Sequence, residues 1–231
     1  MNAAAQYPGL HNQPTPGETR GPVFQAARRF LRAQFGRPAG VWGSIAGRIM
    51  AATPSNNDRI RWTLGLLDIK PHDRILEIGF GPGIAIALAS ELAPDGFVAG
   101  IDHSDVMVRQ ASKRNAAALR AGRVVLRQGS AGSLPSFDGP FDKIFTINSL
   151  HFWSEPVACL QQLRAYLKPG GLMAVTLQPR SRGATDEMTR VIGEELLMNL
   201  EHAGFSECRV EVKRMHPVSV VCALGTTLAT A

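Results

Sequence analysis

The chain holds 231 residues, 45% of them apolar and 19% charged, with a formal net charge of +6. That length suits one α/β domain with a substantial core, and the apolar share is that of an ordinary globular protein rather than a disordered or fibrous one. No apolar run approaches the ~20 residues that span a bilayer, residues 1–10 carry neither the basic start nor the apolar centre of a secretory leader, and Cys159, Cys208 and Cys222 form no CxxC pair. We therefore expect no membrane span, no disulfide framework and no bound metal, but a cytoplasmic protein with reduced thiols.

Residues 1–21 are rich in Pro, Gly, Asn, Gln and Thr, and a mobile arm is expected there. Val23, Phe24, Ala27, Phe30, Leu31 and Phe35 then recur at helical spacing beside Arg28, Arg29 and Arg32, the pattern of a basic amphipathic helix that Gly36 and Pro38 end. The charge excess sits in this part of the chain. Residues 1–70 hold nine basic and three acidic groups, whereas residues 71–231 hold sixteen of each. Such a segment suits an acidic substrate, a nucleic acid or an anionic surface, and equally a solvated helix face. Gly40, Gly43 and Gly47 interrupt a second helical pattern that carries Trp42, Ile45, Ile49 and Met50. Residues 57–67 then read as a helix leading to Pro71. The expected organisation is an arm and basic helix over 1–39 and one Rossmann-like domain over 40–231, with 40–70 as a lid.

After Pro71, strands and helices alternate. Strands are expected at 73–79, 97–102, 123–128, 141–147, 171–177, 207–214 and 217–224, and helices near 83–93, 105–120, 154–167 and 185–203. Short connections between alternating elements imply a doubly wound, mainly parallel α/β sheet covered on both faces. The last two strands are joined through Met215-His216-Pro217, too short for a crossover helix, so they must pair antiparallel.

Within this frame, Ile75-Leu76-Glu77-Ile78-Gly79-Phe80-Gly81-Pro82-Gly83 carries the most information. A buried strand ends two residues after an acid and enters a turn of three alternate glycines, with a helix behind it. This arrangement lets a nucleotide-like ligand lie against bare backbone at the carboxyl end of a strand. A second strand, Phe97-Val98-Ala99-Gly100-Ile101-Asp102, ends in an acid 19 residues after Gly83. That is about the ~20-residue offset of a ribose-binding carboxylate. Asp102 is alternatively an N-cap for the following helix, a task Ser104 can also perform. The dinucleotide pattern G-x-G-x-x-G is not met, because Ile84 follows Gly83.

The E-x-G-x-G-x-G run resembles motif I of the class I S-adenosylmethionine-dependent methyltransferases. Asp102-His103-Ser104-x-x-Met107 with Ala111 resembles that family's second motif, and Gln128-Gly129-Ser130-Ala131 with Leu134-Pro135 its third. Phe141-Asp142-Lys143-Ile144 through Asn148 and His151 resembles the fourth. Leu167-Lys168-Pro169-Gly170-Gly171-Leu172 resembles the turn before the fifth strand. By pattern the chain is most similar to the ubiquinone- and menaquinone-biosynthesis-like small-molecule methyltransferases.

The resemblance implies a seven-stranded sheet of order 3-2-1-4-5-7-6, S-adenosylmethionine as cofactor, and methyl transfer to a small organic molecule through an unassigned O, N or C atom. It places Glu77, Gly79, Gly81 and Gly83 at the methionine end of the cofactor, Asp102 at the ribose, and His103, Met107, Gly129 and Ser130 around the adenine. Met107 is equally a helix-packing residue. The family usually has an Asp where Ser130 stands, and a serine hydroxyl accepts the adenine amine more weakly. Asn148, implied as a further cofactor contact, and His151 follow strand four, where the methyl group emerges. His151 is the candidate general base by position and ordinary pKa, or else a pocket wall. Trp153, Trp42 and Met50 are candidate substrate contacts, with Phe152 beside them.

Asn148-Ser149-Leu150-His151 lacks the Pro-Pro-Tyr/Phe of exocyclic-amine DNA methylases, and no Pro-Cys nucleophile stands there. Few aromatics interleave with the N-terminal arginines, which disfavours nucleic acid. An RNA or protein methylase docking through the basic helix, and a non-catalytic cofactor-binding protein on the same fold, are the alternative readings. A homodimer is left open.

Overall fold

The computed structural model describes residues 54–179 and 183–229. The expected arm and basic helix, and the candidate substrate contacts Trp42 and Met50, lie outside the described residues.

The described chain opens with α1 (Pro54–Leu66), followed by β1 (Arg74–Ile78), α2 (Ile84–Leu92), β2 (Phe97–Asp102), α3 (Asp105–Arg114), α4 (Ala116–Arg120) and β3 (Val124–Gln128). Then come β4 (Phe141–Ile147), a 3-10 turn at Leu150–Phe152, α5 (Pro156–Ala165), β5 (Leu167–Leu177), α6 (Asp186–His202), β6 (Ser206–Lys213) and β7 (Val220–Thr226). The seven strands form one sheet in the order β3-β2-β1-β4-β5-β7-β6. β1 pairs in parallel with β2 and β4, and β7 runs antiparallel between β5 and β6. This is the expected class I architecture, a doubly wound α/β sheet.

Strand alternation sorts the core into two layers. Leu76 and Ile78 face the side covered by α5 and α6, packing with Leu160, Leu163, Ile192 and Leu196. Ile75 faces the side covered by α1, α2 and α3, packing with Ile60, Leu64, Ile86 and Ala111. Glu77 shares the Ile75 face and sits in register between Gly100 of β2 and Phe145 of β4. β1 is where the chain turns from building one half of the sheet to building the other, so the carboxyl end of β1 opens a crevice.

The helix expected at 57–67 starts at Pro54 and the strand expected at 217–224 runs from Val220 to Thr226, and two further elements differ more. The helix expected at 105–120 is two helices separated at Asn115, whose buried amide donates to the Gly83 carbonyl at 3.1 Å and the Ala111 carbonyl at 2.9 Å. β5 starts at Leu167 rather than 171, because Leu167 pairs with Phe141 before the turn through Gly170 (φ 73°) shifts the register. Among the described residues no helix is long and apolar enough to cross a membrane.

Candidate functional site

The turn after β1 takes the left-handed backbone at all three glycines, with φ of 75°, 53° and 76° at Gly79, Gly81 and Gly83. The three have different neighbours. A Cβ on Gly79 would stand 2.5 Å from the Ser149 Cβ, and one on Gly83 would stand 2.6 Å from the Ala111 Cβ. A Cβ on Gly81 would meet nothing within 4 Å. Gly79 and Gly83 therefore permit close packing within the protein, and Gly81 borders open space.

That space is a cavity of about 200 Å³ at the carboxyl ends of β1, β2 and β4. Of the residues singled out from sequence, Glu77, Gly79, Gly81, Asp102, His103 and Asn148 line it. Gly83, Met107, Gly129, Ser130, His151 and Trp153 stand outside its lining. Met107 packs against the α1/α2/α3-side core. Gly129 donates its N–H to the Asp102 carbonyl at 3.0 Å, and the exposed Ser130 forms a single bridge with Ser133.

The loop amides are occupied. Gly79 and Phe80 both donate to the Ile101 carbonyl, at 2.8 and 3.4 Å, and Gly83 donates to the Phe80 carbonyl at 3.0 Å. Gly81 donates to Asp102 Oδ2 at 2.8 Å, and Pro82 has no N–H to give. The other oxygen of Asp102 accepts the Ser104 N–H at 2.9 Å, and Ser104 itself caps α3 by accepting the Met107 N–H at 3.4 Å. Capping thus falls to Ser104, and the buried Asp102 carboxylate is held at the cavity wall by two backbone donors. His103 is exposed, with Nδ1 3.6 Å from Asp102 Oδ1.

Glu77 is 3% exposed, and its Oε2 is buried without a hydrogen-bond partner. Burial, with the Asp102 charge adding to it, pushes its carboxyl up to about 8. Ser149 ties the glycine turn to β4. Its hydroxyl donates to the Ile78 carbonyl at 2.9 Å and also bonds the Thr146 hydroxyl. Asn148 has φ 53°, and its side-chain oxygen accepts the Gln178 N–H at 2.8 Å.

The aromatic pair after β4 is divided by the 3-10 turn. Phe152 is 53% exposed and lines the cavity, whereas Trp153 is 6% exposed and packs in the α5/α6-side core with Leu150. Of the two rings, Phe152 is the one on the cavity wall. The His151 ring lies 4.1 Å from the Phe152 ring, its Nδ1 is buried without a partner, and burial pulls its pKa down to about 4. The ordinary imidazole pKa assumed from sequence does not hold here. Burial also pushes the Cys208 and Cys222 thiols up, to about 11 and about 12.

Arg59, which no sequence motif marks, is 2% exposed and lines the cavity with Asn56 and Ile60 of α1. The signal was present as spacing. Asn56, Arg59, Ile60 and Thr63 fall on one stripe of α1, and Thr63 bonds the Thr176 hydroxyl of β5 at 2.9 Å.

Comparison with known proteins agrees with this geometry. A family profile described as a methyltransferase domain matches residues 75–171. The chain is 34% identical over 186 residues to the uncharacterized methyltransferase YdaC of Bacillus subtilis, covering 80% of this chain and 99% of that protein. It is 32% identical over 185 residues to the 27-O-demethylrifamycin SV methyltransferase of Amycolatopsis mediterranei, covering 78% of this chain and 66% of that enzyme. A crystal structure of a SAM-dependent methyltransferase from Aquifex aeolicus superposes with a TM-score of 0.62 at 23% identity, over 76% of this chain and 94% of that one. With the sheet order, the glycine turn and a relative matched over nearly its whole length, the chain belongs to the class I S-adenosylmethionine-dependent methyltransferases.

Proposed function

We propose that this enzyme methylates a small organic molecule held in the cavity beside Asn148 and Phe152. The observation that carries the reading is the joint lining of one recess of about 200 Å³ by a buried acid without a partner (Glu77), a backbone-held acid (Asp102) and an open glycine (Gly81). The 27-O-demethylrifamycin SV methyltransferase similarity supports a small acceptor.

The residues fit S-adenosylmethionine. A ligand ammonium beside Glu77 offsets the cost of burying that carboxylate. Asp102 accepts one backbone N–H on each oxygen, and a carboxylate has about four acceptor sites, so two ribose hydroxyls can still donate to it. The open space at Gly81 admits the ligand against the main chain. Adenine contacts from His103, Met107, Gly129 and Ser130 rest on the resemblance of the second and third motifs.

When bound, S-adenosylmethionine supplies an electrophilic methyl group on a sulfonium. The chain's own contribution is orientation and exclusion of water. Ser149 fixes the turn against β4, Asn148 presents the end of β4 to the cavity, and Phe152 covers the recess with apolar surface. Holding the two reacting atoms near ~3–3.5 Å and aligned supplies much of the rate of such a displacement. Asn56, Arg59 and Ile60 border the cavity from α1, which supports a closing role for the 40–70 segment. His151, neutral and outside the lining, acts as wall behind Phe152.

The test is a turnover screen with methyl-labelled S-adenosylmethionine against separated metabolite, RNA and protein pools. Label entering the metabolite fraction supports the proposal. Label confined to RNA or protein overturns it in favour of a macromolecular acceptor. Tight cofactor binding with no transfer to any pool points to a binding protein on this fold.

A further inference from the structure

The glycine turn cannot hold an anion. Every N–H from Gly79 to Gly83 donates to a protein acceptor, and Pro82 has none. The cavity also carries Asp102, whose charge repels a negative group, and Glu77, which on ionising beside the ligand ammonium is taken up by that ammonium. Yet the methyl donor of this family ends in an amino acid, with a carboxylate one carbon from its ammonium. That carboxylate needs a donor that neither the turn nor the acids provide.

Among the described residues, Arg59 is the guanidinium in the wall of the same recess. It is 2% exposed, and its guanidinium is set rather than loose. Nη1 donates to Gln178 Oε1 at 2.6 Å, and Nη2 donates to Asn56 Oδ1. Gln178 is fixed in turn, because its side-chain nitrogen donates to the Val218 carbonyl at 2.7 Å and its N–H donates to Asn148 Oδ1 at 2.8 Å. The guanidinium is therefore braced by α1 and by the segment after β5, and tied through Gln178 to the end of β4. Planar guanidinium donors match a carboxylate better than any other side chain, and a pre-oriented fork loses little entropy on binding.

We infer that Arg59 binds the α-carboxylate of the cofactor, with Asn56 and Gln178 as its positioning residues. The inference rests on the assignment of this cavity to S-adenosylmethionine. Under it the amino-acid end of the cofactor is split between α1 and β1: carboxylate to Arg59, ammonium to Glu77. The specificity that follows is for the whole amino acid, not for a nucleoside alone.

The experiment compares two ligands by calorimetry on the full chain. S-adenosylhomocysteine carries the carboxylate, and its decarboxylated analogue, 5′-(3-aminopropylthio)-5′-deoxyadenosine, lacks only that group. A charge-assisted bond of roughly 1.5–3 kcal/mol corresponds to roughly a 10- to 150-fold preference for S-adenosylhomocysteine in the wild-type protein. Arg59→Gln should reduce that ratio to within about threefold of one, while affinity for the analogue stays close to wild type. Arg59→Lys should give an intermediate ratio.

Equal wild-type affinity for the two ligands overturns the inference without any variant, so a variant that fails to fold does not shield it. A ratio that persists in Arg59→Gln also overturns it. Failure of the wild-type protein to bind either ligand instead overturns the cavity assignment.

Discussion

Asp102 of β2 accepts the Gly81 amide at 2.8 Å, so one carboxylate both shapes the glycine turn and borders the cavity. Its second oxygen accepts the Ser104 N–H. Both oxygens thus face donors before any ligand enters. This sets apart two changes that are usually treated as alike. Asp102→Ala removes the ribose acceptor and releases the turn, and should weaken S-adenosylhomocysteine binding by roughly 10- to 150-fold, the equivalent of roughly 1.5–3 kcal/mol. Asp102→Asn should recover little of this, because the amide NH₂ must point at a backbone N–H on one side. Calorimetric affinity of Asp102→Asn near wild type would mean that the Gly81 and Ser104 bonds are incidental.

The glycines of the turn should separate folding from binding. Gly79→Ala forces a Cβ to within 2.5 Å of the Ser149 Cβ at a φ of 75°. Left-handed strain of roughly 1–2 kcal/mol and overpacking of about 1–3 kcal/mol should add, and the melting temperature should fall by several degrees. Gly81→Ala carries strain at φ 53° but meets no atom within 4 Å. It should melt closer to wild type and lose cofactor affinity instead. Thermal unfolding and calorimetry on the two variants read the contrast directly, and equal losses of stability would remove it.

The parts of this architecture set by local pattern were legible before the structure. The strand–glycine turn–helix unit over 75–92, the acid ending β2 and the antiparallel closing pair all follow from spacing and connection length. What was hidden depends on contacts distant in sequence. Asn115 breaks the helix expected at 105–120 because its amide reaches the Gly83 carbonyl, 32 residues away. Phe152 and Trp153 are adjacent aromatics, and only the 3-10 turn decides which faces the cavity. Arg59 counted toward the basic excess of the first 70 residues. Its burial depends on Gln178, which is 119 residues along the chain.

Glu77 should make both stability and cofactor binding depend on pH. Its folded pKa of about 8 lies above the ordinary value of 4.5, so between those values the folded chain holds a proton that the unfolded chain has lost. The contribution to stability is therefore fully present below pH 4.5 and is lost as pH rises toward 8. Glu77→Gln cannot titrate. The melting temperature of wild type minus that of Glu77→Gln should fall steadily as pH rises across this window. A ligand ammonium favours the carboxylate, so S-adenosylhomocysteine should bind wild type more tightly as pH rises from about 6 to about 8, with net proton release visible as a buffer-dependent binding enthalpy. A buffer-independent enthalpy would show that Glu77 is already ionised in the free protein.

His151 has the opposite sign and a different consequence. Burial lowers its pKa from 6.5 to about 4, so between these values the unfolded chain binds the extra proton and the folded chain does not. Stability should decline as pH falls from 6.5 toward 4, and His151→Phe should remove that part of the decline. For catalysis, an imidazole with a pKa near 4 stays neutral at working pH and is a weak proton acceptor for an alcohol or phenol. It also stands outside the cavity lining, behind the Phe152 ring. We therefore expect His151→Gln to keep kcat within about tenfold of wild type, short of the roughly 10²–10⁴-fold loss that follows removal of a general base. The acidic limb of the rate profile should remain where it was. Phe152→Ala should be the more damaging change, raising KM by opening the recess to water. If His151→Gln instead abolishes turnover and the acidic limb together, the imidazole must swing toward the acceptor during the reaction, and the base assigned from its position after β4 would stand.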